Sequence, residues 1–236
     1  CGIYVFVCAF RSFFPRIDVE RICLFDNILS SIFLGRTSAT IAEMSFITQI
    51  SLFIGSYMNE YFPENSFGKK LNKFTGNLIF YLIIIAQTVC WFGITTTNQF
   101  FHCIEESLWL ISIFFATICF INFYFKYKNV EKKDINVTIL TNLFIVGGLL
   151  FVNYIFFVDV PMYYYRWNKN NSVNLNYLSF FDGVKDSLFC KIISKSFNEW
   201  KEDIMWMTPY FTCAVWGSMW IASIKFPIAQ EKEKDK

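Results

Sequence analysis

Arg36, Thr40 and Glu43 are spaced i, i+4 and i+7, so one helical face carries a cation, a hydroxyl and an acid. That face enters an apolar stretch. A lone carboxylate in hydrocarbon costs several kcal/mol, by a rough estimate, so Glu43 must be protonated, paired or beside a wet cavity. Two readings follow: a ligand contact or proton carrier, or a structural role as an ion pair with Arg36 or Arg16 or as a protonated group bonded to a neighbouring helix. A second group is His102, Glu105 and Glu106. Adjacent glutamates on a helix point about 100° apart, so the two acids serve different surfaces. One of them can work with His102 as an acid–base pair. Alternatively, either can cap the helix that follows, where the dipole favours negative charge. A third group is DVPMYYYRW, residues 159–167. Tyr163 and Trp167 suit the headgroup region as interface anchors. Asp159 and Arg166 would serve as polar hooks of an aromatic wall, fitted to a lipid headgroup or an amphipathic small molecule. Glu199 and Asp203, four apart, offer oxygen ligands for a divalent cation, although solvated acids of this kind are far commoner without one.

Those groups need elements to hold them, and composition says which. The chain has 236 residues, 55% hydrophobic, 21% aromatic and only 17% charged. The apolar residues fall in blocks of bilayer length, and about 20 helical residues span the roughly 30 Å hydrocarbon core. Backbone groups there must be paired within the segment, and continuous apolar runs favour helices over barrel strands. The expected fold is therefore all-α, a polytopic transmembrane bundle forming one domain over residues 1–236. About six spans are expected, near 1–14, 38–61, 76–97, 108–125, 135–158 and 207–226, with a charged tail at 227–236. The first run is short and carries Arg11, so it reads as the end of a truncated span. The Cys1-Gly2 start also resembles a processed lipoprotein, but an apolar run follows it without a linker. Residues 22–34 are expected to form an amphipathic helix at the interface. The small pair Gly147-Gly148 marks a place where another helix can approach closely. Pro209 is expected in the first turn of the last span, where its missing N–H costs little.

Lysine placement gives an orientation. The loops at 62–75 and 126–134 and the tail are lysine-rich, whereas 98–107 has no Lys or Arg. The lysine-rich face and the C-terminus are thus expected in the cytoplasm, although four arginines between residues 11 and 36 oppose this. The unusual polar residues then gather on the other face: Arg36, Glu43, His102, Glu105, Asp159, Tyr163, Arg166, Trp167 and Asp203. Cys103 and Cys190 share that oxidising side, where a disulfide between them is an option.

Several classes are excluded or disfavoured. A net charge of +2 does not suggest nucleic acid. The chain has one histidine, eight scattered cysteines, and no Gly-rich phosphate loop, HExxH or CxxC motif. No cofactor and no metal site are expected from such spacing. Expected partners are membrane lipids and other membrane-protein subunits.

The stretches RSFFPRIDVERICLFDNILSSIFLGRTSATIAE (11–43), FHCIEESLW (101–109), DVPMYYYRW (159–167) and EWKEDIMWMTPYFTCAVW (199–216) resemble a family of polytopic membrane proteins of bacterial genomes whose function is unknown. The resemblance implies a membrane-embedded fold and no particular activity. Three readings therefore stand. One is a binder or enzyme for a lipid or amphipathic molecule at the non-cytoplasmic interface. Another is an accessory subunit of a larger membrane complex, and the third a small transporter with Glu43 as coupling acid. Against transport, the sequence has no inverted repeat.

Overall fold

The computed structural model describes residues 1–131, 133–174 and 176–224, with the backbone alone at positions 202, 205, 206, 209 and 210. The charged tail at 227–236 lies outside the described residues. The chain is predominantly helical: α1 Gly2–Phe13, α2 Ile32–Leu52, α3 Phe67–Thr96, α4 Gln99–Tyr127, α5 Ile135–Tyr154, α6 Val160–Ser172, α7 Phe180–Ser187 and α8 Phe197–Ser223. A π-helical turn, Phe53–Tyr57, and a 3-10 turn, Met58–Tyr61, prolong α2, and a second π-helical turn, Ile155–Asp159, joins α5 to α6.

Among the described residues, four helical segments are long and apolar enough to cross a membrane: Ile32–Tyr61, Phe67–Thr96, Gln99–Tyr127 and Ile135–Ser172. The last has 38 residues, about 57 Å at 1.5 Å per residue, well beyond the hydrocarbon thickness. Its polar end, α6, buries none of its residues and carries Tyr163, Arg166 and Trp167 past the core. The α5 end is also exposed, but with Leu143, Val146, Leu150 and Phe157, as a lipid-facing helix requires. Position 209 falls in the interior of α8 rather than in a first turn, because the helix already starts at Phe197. The acidic residues around 199–203 therefore belong to the same helix as the expected last span.

Local chemistry sets the corners. Pro15 follows the end of α1, and a residue before proline is pushed out of helical backbone angles. Thr97 takes a left-handed φ of 58°, which ends α3, and Asn98 then caps α4 by accepting from the Phe100 N–H at 3.0 Å. This tight hairpin corrects the expected start of the fourth span at residue 108. Glu105 and Glu106 lie well inside α4 and do not cap it, since Asn98 does.

The expected interfacial helix over 22–34 is absent. Residues 16–17 (β1) and 22–23 (β2) pair antiparallel around a turn in which Arg21 has φ 60°, and residues 28–30 form a 3-10 turn before α2 begins. Residues 192–193 (β3) add to β2 in parallel. These three short strands knit residues 15–31 to residues 186–194 as a polar cap. Arg21 is its clamp: the guanidinium donates to Asp186 at 3.0 Å, to the Asp18 carbonyl at 2.7 Å and to the Ile94 carbonyl of α3 at 2.7 Å. A disulfide joins Cys23 to Cys190 in the same place. This corrects the expected Cys103–Cys190 option. Cys103 faces α6 instead, with its thiol 3.7 Å from the Val160 carbonyl.

Beneath the cap the helices pack through ring ladders. Tyr4 stacks on Phe46, Phe53 on Tyr57 and Phe120 on Phe144, with centroids 4.6–4.8 Å apart. Gly148 of α5 faces Thr117 of α4 so closely that a Cβ would lie 2.2 Å from the hydroxyl oxygen, whereas one on Gly147 would meet nothing within 4 Å. Only Gly148 of the pair lets two helices approach. At the cap, Gly35 plays a similar part: a Cβ there would collide with the Arg16 guanidinium, which donates to the Ser31 carbonyl at 2.9 Å.

Candidate functional site

The cap sits over the ends of α2, α3 and α4, where three helices bring their polar residues together. Arg36 and Glu43 come from α2, Gln87 and Cys90 from α3, His102 and Glu105 from α4. All six are buried. Arg36 Nη2 donates to Glu43 Oε2 at 3.1 Å and to the side-chain oxygen of Gln87. The Gln87 amide donates back to Glu43 Oε2 at 2.6 Å. An amide both accepts and donates, so Gln87 completes a closed ring between a cation and an anion. Arg36 also stands 3.8 Å from Glu105 Oε1, and the other oxygen of Glu105 lies 2.7 Å from His102 Nδ1. The network thus runs Glu43–Gln87–Arg36–Glu105–His102 across three helices.

Buried charges in hydrocarbon are tolerated when paired and hydrogen-bonded, and this arrangement supplies most of the partners. Two nitrogens are left over. Arg36 Nε and His102 Nε2 have no hydrogen-bond partner among the described residues. Unsatisfied buried nitrogens require a reason, such as a water, an ion or a ligand.

The remaining sequence-derived residues divide. Tyr163 joins the group, its ring stacked on His102 with centroids 5.2 Å apart. Arg166 lies over Tyr163 at 5.9 Å and reaches Glu20 of the cap at 3.5 Å. Glu20 also accepts from Gln99 at the start of α4, so it ties cap, α4 and α6 together. Asp159 meets Glu106 within hydrogen-bonding reach, on a different side of α4 from Glu105, as a 100° offset demands. Trp167 packs on Phe100 at the rim, 4.9 Å between centroids. Asp203 of α8 is half-buried within electrostatic reach of Tyr154. Glu199 is exposed.

Sequence reasoning missed Gln87, Cys90 and Glu20. The signal for the first two was present in LIIIAQTVCW: an amide and a thiol three apart in an otherwise apolar run, hence on one helical face. Glu20 carried no such signal, because its partners are 79 and 146 positions away.

A narrow cleft reaches the network from the side. It is lined by Tyr4, Val7, Cys8, Arg11, Glu43 and Phe211, among others, and its volume is about 10 Å³, enough for about one water molecule. Arg11 sits over the Phe211 ring at 5.4 Å. The walls are therefore apolar, with a cation and an acid among them. A larger hollow of about 290 Å³, between Leu110, Phe114, Val152 and Phe156, is wholly apolar.

Comparison with protein-family models, curated proteins and solved structures gives no match. The site must therefore be read from its own chemistry.

Proposed function

We propose that the protein is a membrane-embedded binder or enzyme for a lipid or other amphipathic small molecule at the non-cytoplasmic interface. One observation carries this reading: the cleft between α1, α2 and α8 joins apolar walls to Glu43, with Arg11 alongside. An amphipathic ligand needs that combination of apolar wall and few polar contacts; since the opening itself holds only about one water, the ligand would lie against the exposed apolar residues of α1 and α8 outside it. Its polar end would meet Glu43, which the Arg36–Gln87 pair holds in position. Burial of Arg36, Glu43, His102 and Glu105 speaks for this reading over an accessory subunit, which would present them on a flat exposed surface.

The same proposal includes about six spans, with α8 and the short α1 added to the four long segments; the 12 residues of α1 cover about 18 Å, part of the hydrocarbon core. It puts the cap outside the cytoplasm and the lysine-rich loops inside. The Cys23–Cys190 disulfide supports that side for the cap, since such bonds persist in oxidising compartments. The likeness to the bacterial polytopic family belongs with it.

The test is retention of lipid. The protein, purified in mild detergent, is analysed for bound amphipaths by native mass spectrometry beside Arg11→Ala and Glu43→Gln. Wild type should keep a defined species near one per chain, and both variants should lose most of it. Equal content in all three would overturn the reading.

A further inference from the structure

Cys90, His102 and Glu105 form a group whose chemistry the amphipath reading does not use. The thiol of Cys90, a ring nitrogen of His102 and a carboxylate oxygen of Glu105 all lie within 4.8 Å of one another. The three residues are 0%, 6% and 4% exposed, so each is more than nine-tenths buried. Sulfur, imidazole nitrogen and carboxylate oxygen are the three donor types that zinc accepts, at about 2.3, 2.0–2.1 and 2.0–2.2 Å. Tetrahedral ligands at those lengths stand about 3.4–3.7 Å apart, so side-chain shifts of about an ångström, which open the 2.7 Å His102–Glu105 contact and draw Cys90 in, would fit the group to an ion. The helices already fix the three positions. His102 and Glu105 are one turn apart on α4, and Cys90 projects from α3, which is joined to α4 by the tight turn at Thr97–Asn98.

We propose that Cys90, His102 and Glu105 bind one divalent transition-metal ion, zinc in the first instance. Two further observations point the same way. The first is the unpartnered His102 Nε2: a histidine that binds a metal through one nitrogen normally gives the other an orienting partner, but here Nδ1 meets Glu105 and Nε2 meets none among the described residues. An ion taking Nε2 would supply the missing partner, and Gly93 lets the ring sit close against α3, with Nε2 only 3.1 Å from where a Cβ would stand. The second is charge. Arg36 faces two acids, Glu43 and Glu105, at 3.1 and 3.8 Å. With an ion bound, Arg36 and a dication balance Glu43, Glu105 and the Cys90 thiolate, while Glu106 and Asp159, which bond to each other, stand outside this count on the other side of α4. Neutrality matters in a medium where an isolated charge is costly. The competing arrangement is metal-free, with Arg36 shared between the two acids.

Three protein ligands leave a fourth tetrahedral position open to water or to a polar group of a ligand, the pattern of catalytic rather than structural zinc. Sequence spacing hides the site because the cysteine and the His-x-x-Glu pair lie on different helices. It does not depend on the amphipath reading, since a metal centre can exist without a lipid ligand and the converse.

The test uses Co²⁺ as the probe. Chain stripped with chelator in detergent is titrated with Co²⁺ while thiolate-to-metal charge transfer is followed in the near ultraviolet, with Zn²⁺ then used in competition. The expected result is one equivalent per chain, displaced by Zn²⁺. Cys90→Ser should remove the charge-transfer band, and His102→Gln should weaken binding by at least about tenfold. Cys119→Ser, a buried thiol elsewhere on α4, should change neither. Should the variants fail to fold, wild type alone decides: the stripped chain must retain one equivalent of Zn²⁺ after desalting, and X-ray absorption must show one sulfur neighbour at about 2.3 Å. A band that survives Cys90→Ser, the absence of any saturable Co²⁺ binding in wild type, or retained Zn²⁺ with no sulfur neighbour would each overturn the site.

Discussion

Arg36 and Glu43, seven residues apart on α2, form a buried ion pair of 3.1 Å, and the Gln87 side chain from α3 bonds to both. Two turns of one helix thus deliver a cation and an anion to the same amide. The pair is local, but its completion is not, and this makes it a point where helix packing can be read out.

Breaking that pair from one side should cost more than removing both charges. Arg36→Met leaves Glu43 and Glu105 facing each other's charge in a buried site, and losses of about 3–5 kcal/mol are usual for such a change. The double variant Arg36→Met/Glu43→Leu should recover part of the loss. Thermal unfolding in detergent measures both, and a double variant less stable than Arg36→Met would contradict the account.

The cap should depend on its disulfide. Cys23 and Cys190 are separated by 167 positions, so the bond closes a long loop. Cys23→Ser or reduction should lower stability by about 2–4 kcal/mol and open the cap to protease near residues 186–194. Cys103→Ser should leave the non-reduced peptide map unchanged, because that thiol lies against Val160.

Cap stability should fall in acid. Burial alone would raise the Asp186 carboxyl, but hydrogen bonds from Lys191 and Arg21, with their charges, outweigh it and hold Asp186 below its ordinary 3.8. A carboxylate depressed on folding contributes stability above its unfolded value and loses it as pH falls through the folded one. The contribution of this group is therefore present at neutral pH and declines below about pH 4. Hydrogen exchange at β2 and β3 between pH 6 and 3 should show the loss, and Asp186→Asn should flatten it.

The two adjacent glycines of α5 should respond in opposite ways. Gly148→Val pushes a side chain into the Thr117 hydroxyl, and overpacking of that kind costs about 1–3 kcal/mol. Gly147→Ala meets open space and should be neutral, or stabilising by up to about 1 kcal/mol from helix propensity. Equal effects at the two positions would mean that α4 and α5 do not pack as described.

What the sequence determined by itself was the kind of molecule. Runs of bilayer length need no partner to be recognised, because spanning is a property of one segment and its solvent. The i, i+7 relation of Arg36 to Glu43 and the 100° offset of Glu105 from Glu106 were legible for the same reason: they follow from the geometry of a single helix. The short strands at 16–17, 22–23 and 192–193 were not legible, because two-residue strands carry no periodicity and exist only through each other. The choice of Cys23 over Cys103 for Cys190, and the arrival of Gln87 and Cys90 beside Glu43, His102 and Glu105, were settled by packing between elements far apart in the chain. Tertiary structure decided these because a contact across helices depends on register and rotation, which no single segment encodes.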